Sequence, residues 1–186
     1  MEADWEFEIG SDAPVIEAHW PGFVDLQRTP NAAWDLSEVS ELPALAQVLS
    51  RLNLPTSPVW TSKCDYWPVI TPDEFDPDEL DAPPECSSYG TGCYIDLLPK
   101  SGQLWPFPAV IAADCKSLCD KLRVAPLRCC RVDLVIRRAA IAPDLWDTGI
   151  TAYITACGGT QADAADALQD ALLAFGDALC GDSTLQ

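Results

Sequence analysis

An α+β fold, with a single mainly antiparallel or mixed sheet and helices on one face, is predicted by three features of this sequence. Strand-like and helix-like segments follow one another as β, β, α, β, β, α, β, β, α, which is not the regular βαβα alternation of a parallel sheet. Apolar residues fill 48% of the 186 positions, enough for one sizeable core. The last helical stripe, Leu168, Leu172, Phe175 and Leu179, leaves Asp163, Asp166, Asp170 and Asp177 on its other faces. The chain is therefore expected to form one α+β domain over residues 1–186.

Short strands are predicted near Trp5–Ile9 and Val15–Leu26, then a helix over Val39–Asn53 that Leu54-Pro55 ends, then a strand over Val59–Val69. After an acidic loop, 71–91, come a strand around Tyr94–Leu97, a helix near Val110–Val124 and a strand over Cys130–Ile141. A β-branched strand, Gly149–Cys157, and an Ala-rich helix, Gln161–Leu179, close the chain, with Thr160 and Asp163 forming a capping box. A shift of 71 positions aligns Phe23-Val24-Asp25-Leu26 with Tyr94-Ile95-Asp96-Leu97, Trp34 with Trp105, Val39 with Val110 and Pro55 with Pro126. This suggests a ferredoxin-like βαβ duplication with pseudo-repeat halves 15–70 and 92–157. The second half resembles a ferredoxin-like βαββα unit lacking its last strand.

The formal charge is −18, which repels phosphate backbones and anionic lipid surfaces and moves nucleic acid and membrane down the list of partners. No N-terminal segment joins a basic region to an apolar one, and a cytoplasmic location is expected. Residues 71–85, TPDEFDPDELDAPPE, hold seven carboxylates, four prolines and no Lys or Arg. Seven of the eleven basic residues lie between Lys116 and Arg138, so large acidic surfaces are expected elsewhere. The bland explanation of the acidic loop is a solvated connection, because proline and like charge resist packing. The functional one is attraction of a basic protein through Asp73, Glu74, Asp76, Asp78, Glu79 and Asp81.

Motifs for chemistry are weak. The acids of the loop are unevenly spaced for calcium and Pro77 stiffens it. Nine cysteines, an odd number, include no recognised pair of zinc knuckles and read as reduced, mostly buried thiols; no metal or cofactor is expected. His19 is the one histidine and reads as a structural residue beside Trp20 and Pro21. ITACGGTQAD reads as a turn and cap, since Asp163 and Asp166 would oppose a phosphate.

Strand alternation predicts what the uncovered sheet face carries. In RVDLVIRR, Val132, Leu134 and Ile136 take one side and Arg131, Asp133, Val135 and Arg137 the other. In VWTSKCDYW the outer set is Thr61, Lys63, Asp65 and Trp67; Asp25 and Asp96 alternate with aliphatics, and Tyr153 lies between Ile150, Ala152 and Ile154. Such a face either pairs across strands in water or serves as an interface, with Trp67, Tyr153 or Trp105 as anchors.

In size, acidity, Trp content and lack of an export signal the chain resembles the immunity proteins of bacterial toxin systems, including those that guard against type VI secreted nucleases. The resemblance implies a toxin inhibitor that binds a basic cognate toxin and is not itself an enzyme; it assigns no residue. The alternative is an enzyme or small-anion-binding protein in which Arg131, Arg137 and Lys63 hold the anion beside Asp65 or Asp133. A pocket converging on those groups, with shifted carboxylates, favours the alternative; a flat solvated face does not.

Overall fold

The computed structural model describes residues 1–70, 74–100 and 108–181, and the fold is α+β. Six strands, β1 (Glu2–Phe7), β2 (Ile16–Glu17), β3 (Val59–Ile70), β4 (Tyr89–Pro99), β5 (Cys130–Ala142) and β6 (Leu145–Gly158), form one mixed sheet in the order β1-β5-β6-β4-β3. β2 continues the edge begun by β1, since both pair parallel with β5. β4 and β5 are each antiparallel to β6, which lies between them, and β3 is antiparallel to β4. The helices are α1 (Pro43–Leu52), α2 (Pro108–Arg123) and α3 (Gln161–Cys180).

The second half thus has a split βαβ connectivity, and β3 lies beside β4. The predicted duplication has no counterpart in the first half, where Phe23–Leu26 is not a strand. Asp25 turns the chain there: its carboxylate accepts from Gln27 N, 3.1 Å, and its carbonyl from Arg28 N and Thr29 N. This local side-chain bonding competes with sheet pairing, so four matched residue types adopt different backbones. The first helix starts at Pro43 and not at Val39. Proline lacks the N–H an interior position must supply and holds Leu42 out of the helical region, so Ser37–Val39 forms a separate 3-10 turn.

One sheet face carries the main core. Val132, Leu134 and Ile136 of β5, Ile150, Ala152 and Ile154 of β6, and Ile95 and Leu97 of β4 pack under Leu45, Leu49 and Leu52 of α1, Ile111 and Leu122 of α2, and Leu168, Leu172 and Phe175 of α3. Leu168, Leu172 and Phe175 of the predicted α3 stripe are buried at helical spacing and Leu179 is half-buried, and the Thr160–Asp163 capping box closes the first turn. Among the described residues no helix is long and apolar enough to cross a membrane.

A second, smaller cluster lies on the opposite face at one end: Ile16, Ala18, Trp60, Leu98 and Ala139, with Phe23 and Ile141 against them. It exists because the chain from Pro14 to Pro21 crosses back over that end of the sheet. Gly149 permits the crossing, since a Cβ there would meet Ile16 Cδ1 at 2.8 Å, Leu97 O at 2.9 Å and Leu98 Cδ2 at 3.0 Å. His19 joins this cap, stacked on Trp60 at 5.8 Å and edge-on to Phe23 at 4.9 Å.

Candidate functional site

Beyond the cap the same sheet face stays open and is floored by polar side chains. Strand alternation places Tyr94 and Asp96 of β4, Thr151 and Tyr153 of β6, and Asp133 and Arg137 of β5 on it, while their neighbours enter the core. Asp96 is paired with Thr151, and Tyr94 with Tyr153 and Asp65.

On β3 the alternation slips. Thr61 pairs with Leu97 and Cys64 with Ile95, so Ser62 and Lys63 together oppose Asp96 as a β-bulge. The bulge corrects the expected outer set: Thr61 faces the helices, where it accepts from Asn53 Nδ2 at 2.7 Å, while Lys63, Asp65 and Trp67 face outward. It also anchors the crossing chain. Ser62 Oγ donates to the carbonyls of Glu17, 2.6 Å, and Ala18, 3.1 Å, and Trp20 Nε1 donates to Ser62 O, 3.3 Å.

The result is a pocket of about 540 Å³ with Asp96 and Thr151 as its floor. Tyr94, Tyr153, Trp67, Lys63 and Arg137 form its sides, and the 14–21 chain forms its rim. Trp67 and Tyr94 lie 5.6 Å apart and Tyr94 and Tyr153 6.0 Å apart, so the three rings run across β3, β4 and β6. The Arg137 guanidinium continues the row, 5.5 Å from the Tyr153 ring centre.

Arg137 is held from every side. Its Nε donates to Glu8 Oε2 at 2.8 Å, Nη2 donates to the same oxygen, and Nη1 donates to Thr151 Oγ1 at 3.1 Å and to the Tyr153 hydroxyl at 3.0 Å. A guanidinium cannot accept and an ionised carboxylate cannot donate, so the Thr151 hydroxyl accepts from Arg137 and donates its hydrogen bond to Asp96 Oδ1, 2.7 Å away. The direction of the chain Glu8–Arg137–Thr151–Asp96 is therefore fixed. Asp96 is only 7% exposed and Thr151 1%. Withdrawal from water pushes the Asp96 carboxyl above its ordinary value, opposed by the Thr151 hydrogen bond and by the charges of Arg137 and Lys63. Burial, with the nearby Asp96 and Asp65, pushes the Tyr94 phenol up as well. Asp96 Oδ2 accepts no hydrogen bond among the described residues, and Lys63, 6.0 Å from the Trp20 ring, makes no ion pair among them.

Comparison with protein-family models, curated proteins and solved structures finds no match.

The predicted site residues fall into separate places. Lys63, Trp67, Arg137 and Tyr153 meet in the pocket, and Asp65 flanks Tyr94 at its edge. Arg131 and Asp133 do not join them: Arg131 Nε binds both Asp133 oxygens, 2.8 and 2.9 Å, beside a smaller cleft of about 150 Å³ with Asp4, Trp5 and Glu6. Residues two apart on one strand share a face, and this guanidinium is spent on its neighbour. The expected trio of Arg131, Arg137 and Lys63 around one anion is thus corrected to Lys63 alone, because Arg137 is likewise neutralised by Glu8. Asp73 and Trp105 lie outside the described residues.

The acidic loop folds against the sheet in its described part. Two 3-10 turns, Asp78–Leu80 and Pro84–Cys86, place Leu80 in the interior at 3% exposure. Asp81 pairs with Arg128 at 3.0 Å, Glu79 stands 3.9 Å from Arg131, and Asp76 Oδ1 accepts from Asp78 N at 2.9 Å. Glu74 is exposed. Among the described residues Glu79 and Asp81 therefore fasten the segment to the molecule.

All nine cysteines are free thiols, five of them buried. Burial pushes Cys64 and Cys115 up to about 12, which keeps them as apolar filling and not thiolates. Tyr94, Asp96, Thr151, Trp20 and Glu8 were not chosen from sequence as site residues. Asp96 did carry a signal, a lone acid between Ile95 and Leu97 in a strand; the remaining four carried none.

Proposed function

We propose that this is a binding protein whose open sheet face takes up a small polar ligand in the pocket above Asp96. The observation that supports this reading is Asp96 itself. A carboxylate almost wholly withdrawn from water, with one oxygen spent on Thr151 and one aimed into a pocket, is costly for folding and useful for recognition. The adjacent Lys63, which makes no ion pair among the described residues, and three aromatic rings supply a complementary charge and flat apolar surface.

The pH dependence of stability tests it. The folded-state value of Asp96 is raised above 3.8, so the native state holds this proton more tightly than the unfolded chain. Stability from this group is fully present below about pH 3.8 and is lost as pH rises through the raised folded value. Asp96→Asn should remove that falling slope from urea-unfolding free energies measured between acid and neutral pH, and should match or exceed the native protein at pH 7. A loss of about 1 kcal/mol or more at pH 7 would mean that Asp96 serves the fold through Thr151.

A second reading is favoured by the distribution of charge. Arg51, Lys116, Arg123, Arg128, Arg131 and Arg137 are all engaged in internal ion pairs, leaving the acidic excess to the surface. Such a surface suits a basic protein partner, as a toxin neutralised by an immunity protein would be. Association with a co-purifying basic protein should then slow steeply with added salt, and further when Asp73, Glu74, Asp76, Asp78, Glu79 and Asp81 are neutralised together. A salt-insensitive rate removes this reading.

A further inference from the structure

We propose that the ligand of the open-face pocket is a small zwitterion of the amino-acid kind, bound by its anionic group at Lys63, by its ammonium at Asp96, and by a flat apolar side chain on the aromatic row. This rests on the pocket being a ligand site at all.

With the carboxylates of Asp96 and, on the rim, Glu17 beside the Lys63 ammonium, the pocket lining favours a ligand that carries both signs. Arg137 looks like an anion receptor in sequence, but its Nε and Nη2 face Glu8 and its Nη1 faces Thr151 and Tyr153, so no donor pair is left for an incoming carboxylate. Lys63 is the pocket cation that no carboxylate neutralises among the described residues, and its three donors have one aromatic neighbour, Trp20. A ligand with an anion alone would satisfy Lys63 and leave its charge near the bare oxygen of Asp96. A ligand with an ammonium alone would satisfy Asp96 and leave Lys63 unmatched. One molecule carrying both groups answers both, and it brings no net charge into a pocket where opposite signs already stand close together.

The polarity of Asp96 is set before the ligand arrives. The Asp96 carboxylate can only accept, so Thr151 donates to Oδ1 while itself accepting from Arg137, and Oδ2, which accepts no hydrogen bond among the described residues, calls for a donor. An ammonium makes a charge-assisted hydrogen bond to a carboxylate, roughly twice as strong as a neutral one. Trp67, 39% exposed, and Tyr94, 5.6 Å from it, supply the rigid apolar surface on which a ring or flat side chain can lie.

Three probes with one ring and different charged groups separate the contributions: L-phenylalanine, phenethylamine and 3-phenylpropionate. The Trp67 indole N–H is followed by NMR in the ¹⁵N-labelled full chain, its signal assigned by Trp67→Phe. L-phenylalanine should bind about tenfold or more tightly than either analogue, the scale of losing one charged hydrogen bond. Lys63→Met should erase its advantage over phenethylamine, and Asp96→Asn its advantage over 3-phenylpropionate. The exposed Lys63 variant and the analogue series in the native protein decide the matter even if the Asp96 variant does not fold. Equal binding of phenylalanine and either analogue, or no response to any of the three, overturns the zwitterion. If another class of small molecule then moves the Trp67 signal, the pocket reading stands without it; if no small molecule does, both fall.

Discussion

Phe175→Ala is expected to cost about 3–5 kcal/mol of folding stability, seen as a lower urea midpoint and a melting temperature reduced by on the order of 10 °C. Phe175 is fully buried in α3 and lies in the core shared by α1, α3 and the sheet. The next residue fixes how close the helices come, since a Cβ on Gly176 would stand 3.2 Å from Val48 Cγ2 of α1. At so tight a crossing neither helix can shift to fill the space a ring leaves, so the cavity persists and its cost adds to the lost burial. A cost below about 1 kcal/mol, which requires the helices to collapse onto the gap, would contradict the packing described here.

Arg137→Met is expected to cost about 2–4 kcal/mol and to disable the pocket at the same time. The change keeps much of the apolar stem but leaves Glu8 unpaired, Thr151 without the donor that orients it, and the Tyr153 hydroxyl without its partner. It also removes one of the positive charges that hold the buried Asp96 carboxyl down, so that carboxyl rises further. A double-mutant cycle with Glu8→Gln checks the cause. The two changes together should cost clearly less than the sum of the singles, because each breaks the same pair. Additive costs would mean that Glu8 and Arg137 act separately.

Much of the fold was legible wherever the decisive interactions are local. The helix over Gln161–Cys180 declares itself by its capping box and by Leu168, Leu172 and Phe175 at helical spacing. β5 declares its two faces by strict alternation, and Arg131, Asp133 and Arg137 are all on the outer one. Where a single residue breaks the local period the reading fails. The extra residue at Ser62–Lys63 moves Thr61 to the other face, and Pro43 shortens the first helix. The matched stretch Phe23–Leu26 misleads for a related reason, since Asp25 spends its side chain on a turn.

The pocket was only half legible. Alternation shows that Lys63, Trp67, Arg137 and Tyr153 share a face, and they do meet. It does not show that Pro14–Pro21 crosses that face and makes it concave, because this depends on Ser62 and Gly149, far away in sequence. Nor does it show which cations are spent: Glu8 and Arg137 pair across 129 positions. Composition predicts an acidic surface in search of a partner, while the tertiary pairing places in one pocket a buried acid and Lys63, a base with no ion pair among the described residues.

Whether the open face holds a small molecule can be measured on the intact chain. Native mass spectrometry of the intact chain after incubation with a protein-free metabolite extract tests it most directly. One bound species of low mass is expected, released on unfolding and absent from the Lys63→Met and Arg137→Met proteins. Recovery of the bare chain from every extract, with a basic protein captured instead from whole lysate by both variants as well as by the native chain, would contradict it.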